Sequence, residues 1–232
     1  MSVLGIETAT MVCAAAVASE GKVLAEVALE ERNIHAERLM SLIDEVLRRT
    51  DIAPRHLDAI AVSIGPGSFT GLRIGLSVAK GLAYAAGKSL VAVPTLEALA
   101  RRALGPGKSL PLILPLLDAR RDEVYCQFYR GGDGSVTADG EPSVLTLVQV
   151  AEAIGNRSVF VTGEASEKFR AFVGSGRPEF RGAVQFAEPS VARCGAGAVA
   201  LTGEGLLARG STEDLSVLEP RYIKEFFFKA RQ

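Results

Sequence analysis

The opening thirty residues restrict the fold of this 232-residue chain more than any other part of it. They hold three short apolar runs, set too close together for a helix to lie between them. The first, 3–7, ends in an acid. Thr8 to Thr10 form a turn, 12–18 are the second run, Gly21-Lys22 signal a tight turn, and 23–29 are the third. Runs this short, joined by turns this tight, pair as hairpins. The period then changes. Residues 37–50 place Leu39, Leu42, Ile43, Val46 and Leu47 at helical spacing. A buried strand follows over 57–64, then a glycine-rich turn from Gly65 to Gly71 and a small-residue helix over 72–86 closed by Gly87. Residues 90–93 read as a strand, and Thr95 caps a helix over 96–104.

Three hairpin-linked strands followed by alternating helix and strand is the order of a ribonuclease-H-like lobe. Gly105-Pro106-Gly107 marks a boundary or hinge, and a shorter, degenerate copy of the same order follows. Its strands fall at 110–118 (again ending in an acid), 124–129, 135–144 and 158–162, with a short extended piece at 184–186. Helices are expected over 147–154, 167–173 and 191–208. The expected architecture is therefore an α/β, two-lobed, actin-like and Hsp70-like fold. Its first lobe is 1–104, its smaller second lobe is 105–232, and C-terminal residues return to the first.

The formal net charge of -1 argues against a chain that grips nucleic acid alone through a broad basic face. No stretch approaches the roughly 18 apolar residues of a membrane helix. Residues 12–18 lack the positive flank of a signal peptide, and the three cysteines are far apart, so a cytoplasmic protein without disulfides is expected. The two histidines, His35 and His56, form no ligand pair, and no metal site is expected. His35 is expected to help start the helix that follows it.

The turn G-P-G-S-F-T-G at 65–71 follows a strand and opens a helix, with Gly65, Gly67 and Gly71 free in backbone angle and Ser68 and Thr70 able to cap. It reads either as an anion cradle or as a turn that lets helix and sheet approach closely. It is not a Walker loop, because Leu72 stands where the lysine belongs. Glu7, Thr8 and Thr10 at the end of the first strand, and Asp118 at the end of the matching one, stand where actin-like ATPases organise metal and phosphate. The turn E-T-A-T carries no glycine, however, and Ala119-Arg120 follow Asp118. An ion pair of Asp118 with Arg120 or Arg121 is the plainer reading.

The apolar positions of the 37–50 helix span roughly 160° of its wheel, more than the roughly 100° that one buried face needs. Gly71, Gly75, Ala79 and Ala83 make a small-residue row on the next helix, along which another helix can approach. Either both helices only cover their own sheet, or each also shows a strip to a partner. The aromatic and basic run 221–231 is expected to pack back on the core.

Seven blocks in order carry a family resemblance: I-E-T-A-T at 6–10, H-A-E-R-L at 35–39, L-D-A-I-A-V at 57–62, G-P-G-S-F-T-G-L-R-I-G at 65–75, P-T-L-E-A-L-A at 94–100, L-D-A-R-R-D-E-V-Y at 117–125 and P-R-Y-I at 220–223. They resemble the TsaB (YeaZ) family, paralogues of TsaD. The match is dense over the first 125 residues and thin beyond them. The resemblance implies a non-catalytic subunit that binds TsaD and supports TsaE in installing threonylcarbamoyladenosine beside the anticodon of tRNA. It implies contact with tRNA only through the complex, and a homodimer when alone. It implies no catalytic residue and no cofactor beyond weak ATP or ADP at a subunit boundary. It puts the partner surface on the two long helices, at Leu39, Met40, Ile43, Leu47, Gly75, Ala79 and Ala83. Glu7 departs from the family's usual aspartate. The alternatives are an ATP-dependent phosphotransferase using Glu7, Asp118 and the 65–71 turn, and, more remotely, a metallopeptidase.

Overall fold

The computed structural model describes residues 1–105, 110, 112–132, 134–176 and 183–224. Three antiparallel-linked strands come first: β1 (Ser2–Glu7), β2 (Val12–Ser19) and β3 (Lys22–Glu30). Helix α1 (His35–Thr50) and a 3-10 turn at Pro54–His56 lead to β4 (Ala59–Gly65), α2 (Phe69–Ala86), β5 (Ser89–Pro94) and α3 (Thr95–Leu104). The second series is β6 (Ile113–Asp118), β7 (Glu123–Gly132), β8 (Ser135–Thr146), α4 (Leu147–Ile154), β9 (Val159–Thr162), α5 (Ser166–Gly174), β10 (Val184–Phe186) and α6 (Ala196–Ala208).

The two sheets share one topology. The first has the order β3-β2-β1-β4-β5, with β1 antiparallel to β2 and parallel to β4. Read from its far edge, the second is β8-β7-β6-β9-β10, with β6 antiparallel to β7 and parallel to β9. This is the ribonuclease-H-like order in both lobes, the second being the copy expected from its strand pattern. Each sheet has a core on both faces, because each is covered by helices on both sides. Helices α1 and α2 close over one face of the first sheet around Leu4, Ile6, Leu39, Ile43 and Leu76. Helix α6 covers the other face, and α3, packed against α6, covers the second sheet around Leu99, Leu104 and Ile113. The C-terminal helix therefore belongs with the first sheet, and the two lobes meet through α3 and α6.

Local expectations fail where a distant partner intervenes. Helix α1 starts at His35 rather than being started by it. The imidazole is buried, and its Nε2 lies 3.3 Å from Val12 O. Ser68 caps α2, its Oγ accepting from Gly71 N–H at 3.2 Å, whereas Thr70 is an exposed residue of the first turn. Thr95 is the first residue of α3 and not its cap; its hydroxyl accepts from Gly65 N–H at 3.2 Å instead. The helix expected over 191–208 begins only at Ala196, because Gly195 is extended (φ -161°, ψ 141°). Of the hinge Gly105-Pro106-Gly107, the last two residues lie outside the described ones, as do 225–231 of the C-terminal run.

Candidate functional site

Glu7 ends β1 beside β4, and that neighbourhood determines its partners. Its Oε2 accepts from Ser63 Oγ on β4 at 2.5 Å, and its Oε1 accepts from Ala9 N–H at 2.6 Å. The side chain has no solvent exposure. Burial pushes its pKa up to about 7, against the two hydrogen bonds, which favour the charged form, while Glu164 nearby adds repulsion. Both carboxylate oxygens thus have partners inside the chain.

The glycine-rich turn lies directly against the β1–β2 turn. A Cβ on Gly71 would stand 2.1 Å from Thr8 O, one on Gly75 2.1 Å from Thr8 Oγ1, and one on Gly67 2.4 Å from Ala9 O. Ser68 N–H donates to Ala9 O at 2.7 Å. These glycines let the turn and the first turns of α2 pack directly on Thr8 and Ala9. The Thr8 hydroxyl is buried without a hydrogen-bond partner among the described residues. Thr10 is half-buried and its Oγ1 accepts from Val12 N–H at 3.2 Å.

Asp118 does not join this group. It is exposed at the end of β6 and pairs with Lys168 of α5 at 3.0 Å, not with Arg120 or Arg121. Those two arginines form the tip of the β6–β7 turn with positive φ (72° and 53°), and Lys168 also donates to Arg121 O. In the turn between β9 and α5, Gly163 (φ 94°) closes on β6, since a Cβ there would stand 2.2 Å from Leu116 O. The Glu7 carboxyl is buried with each oxygen bonded within the chain, and the glycine turn packs on the β1–β2 turn. Among the described residues, no group of three or more His, Cys, Asp and Glu side chains is placed to hold a metal ion.

The residues expected at a partner surface divide in two. Leu39, Ile43, Ala79 and Ala83 lie in the core under α1 and α2, and Gly75 faces Thr8. Their own fold occupies them, because the small-residue row turns toward the β1–β2 turn and the sheet. Leu47 is half-buried, and Met40 is 50% exposed. Tyr84 of α2 is 83% exposed and was not singled out in the sequence. Ser63, the donor to Glu7, was also missed; nothing local in A-I-A-V-S marks it.

The family model described as "TsaD: tRNA N6-adenosine threonylcarbamoyltransferase" matches residues 22–224. A Bacillus subtilis protein, "tRNA threonylcarbamoyladenosine biosynthesis protein TsaB", is 37% identical over 135 residues, 58% of this chain and 57% of the relative. The chain spans little more than half the length of the curated TsaB relatives it matches. The solved structure of YeaZ from Pseudomonas aeruginosa superposes with a TM-score of 0.77 at 27% identity, covering 95% of this chain and 99% of that one. The ROK hexokinase of Thermus thermophilus superposes with a TM-score of 0.51 at 14% identity, over 90% and 100% of the two chains, a likeness of fold alone.

Proposed function

This chain belongs to the TsaD family and, within it, to TsaB, and on that premise we propose that it is a non-catalytic subunit of a complex that makes threonylcarbamoyladenosine in tRNA. It binds and activates a TsaD protein, supports recruitment of TsaE, and meets tRNA only through the complex. It works in the cytoplasm and forms a homodimer when alone. No helix among the described residues is long and apolar enough to cross a membrane. The observation that carries the reading is the state of Glu7. An acid with no exposed surface, each oxygen already bonded to Ser63 or Ala9, is turned into the chain and away from a solvent-borne metal and phosphate. Any nucleotide binds weakly and at the boundary with a partner.

The partner surface of this proposal is the outer side of α1 and α2, with exposed Met40 and half-buried Leu47 on α1 and the half-buried row Ile74, Val78 and Leu82 on α2. Met40→Glu is expected to abolish a complex with TsaD in gel filtration, weakening it at least about a hundredfold, while circular dichroism of the lone chain stays unchanged. A full complex with this variant removes the helix-face assignment. Ala79 is not a test of the interface, because a charge there would break the core. Titration calorimetry of the chain with ATP and magnesium should show no binding at micromolar concentrations. Binding with turnover would favour a phosphotransferase instead.

A further inference from the structure

Residues after α6 bind both lobes in turn. Glu213 N–H donates to Leu90 O at 2.9 Å along the open edge of β5, and Leu215 and Leu218 pack against the core under α2. Arg221 N–H donates to Ile64 O at 2.7 Å, at the end of β4. To this point the segment is fastened to the first lobe. Tyr222 then stacks on Phe69 (5.3 Å between centroids, 28° between planes), and its hydroxyl accepts from Arg73 Nε–H at 3.0 Å. The Arg73 guanidinium lies 3.9 Å from the Phe69 ring centroid, so the first turns of α2 and the segment form one stack.

The same few residues reach the second lobe. Lys224 Nζ pairs with Glu123 at the start of β7 at 2.5 Å, and Arg221 lies 3.7 Å from Glu141 of β8. Ile223 packs with the cluster between α3 and the second sheet. We propose that residues 221–224 are an interlobe strap, which ties the orientation of the second lobe to the N-terminal end of α2. Every contact is short-range and runs from a single four-residue stretch to elements of both sheets, so the lobes cannot change angle without breaking some of them. The strap's consequence, coupling of lobe angle to partner docking, rests on the assignment of α2 to the partner surface made above. Its existence does not.

Spin labels at Ser77→Cys and Thr137→Cys, both exposed and on different lobes, report the interlobe distance in the full chain; the three native cysteines are buried. A single narrow distance distribution is expected. Tyr222→Ala should raise the population of other distances about tenfold. Lys224→Glu should raise it about threefold, and the exchanged pair Lys224→Glu with Glu123→Lys should restore the narrow distribution. Unchanged distributions in the single variants, or failure of the exchanged pair to restore the parent one, overturn the strap. Because the lone chain is measured, these outcomes are independent of whether Met40→Glu disrupts the complex.

Discussion

Strands β1 and β6 are both the first of a five-stranded sheet with one topology, both end in a carboxylate, and both lead into a tight turn. Yet Glu7 has no exposed surface, while the Asp118 side chain is 57% exposed. The difference lies in what covers each turn. Over the first, α2 and the turn before it bring glycines at 67, 71 and 75 into contact with Thr8 and Ala9, which leaves Glu7 without solvent exposure. Over the second, α5 offers Lys168, and the carboxylate keeps its solvent. Topology sets where an acid stands, and the packing above it sets its charge state and partners.

The comparison breaks most readily at the glycines. Gly71→Ala puts a methyl group against Thr8 O, where 2.1 Å is available. The expected loss is on the order of 3 kcal/mol in urea unfolding, since neither the strand end nor the helix start can yield cheaply. A loss under about 1 kcal/mol would mean that the turn is not clamped.

Glu7→Gln tests the charge state. The carboxyl has a folded pKa of about 7 against an ordinary value of 4.5, so the folded protein holds the proton more tightly. Its contribution to stability is fully present below the unfolded pKa and is lost as pH rises through the folded one. Stability of the parent should therefore fall between about pH 4.5 and 7 by a few kcal/mol at most. Glu7→Gln should flatten that slope and be about 2 kcal/mol more stable than the parent at pH 8. A slope that persists in the variant places the titration elsewhere.

Two smaller effects sharpen the contrast. Gly81→Ala, on the same helix as Gly71 but exposed and with nothing within 4 Å of the added methyl, should stabilise by about 1 kcal/mol, isolating contact from helix propensity. Asp118→Asn should cost only about 0.5 kcal/mol, with the loss shrinking in salt. A loss as large as that at Gly71 would erase the distinction between the two turns.

Much of the fold was legible because it is written in short-range patterns. Apolar runs of five to seven residues with tight turns between them define strands without reference to the rest of the chain, and the repeat of that pattern after residue 110 foretold the second sheet. The cap at Ser68 was legible for the same reason, as its partner Gly71 is three residues away. Long-range pairings were not. Ser63 reaches Glu7 across 56 residues, Thr95 reaches Gly65 across 30, and Lys168 reaches Asp118 across 50, in preference to the neighbouring arginines. The small residues of α2 showed that something approaches closely, but left the occupant open between a partner helix and the chain's own turn.

From its residues alone the chain is committed to two lobes of one design and to a family whose motifs it carries from residue 6 onward, because local periodicity and ordered motifs survive without coordinates. Only the assembled tertiary structure decides that the first-strand acid is buried and bonded to Ser63 and Ala9, that the glycine turn packs on the β1–β2 turn, and that Met40 and Tyr84 face outward. The physical reason is that solvent exclusion is a collective property. It arises where a helix closes over a turn, and no single segment of the chain encodes it.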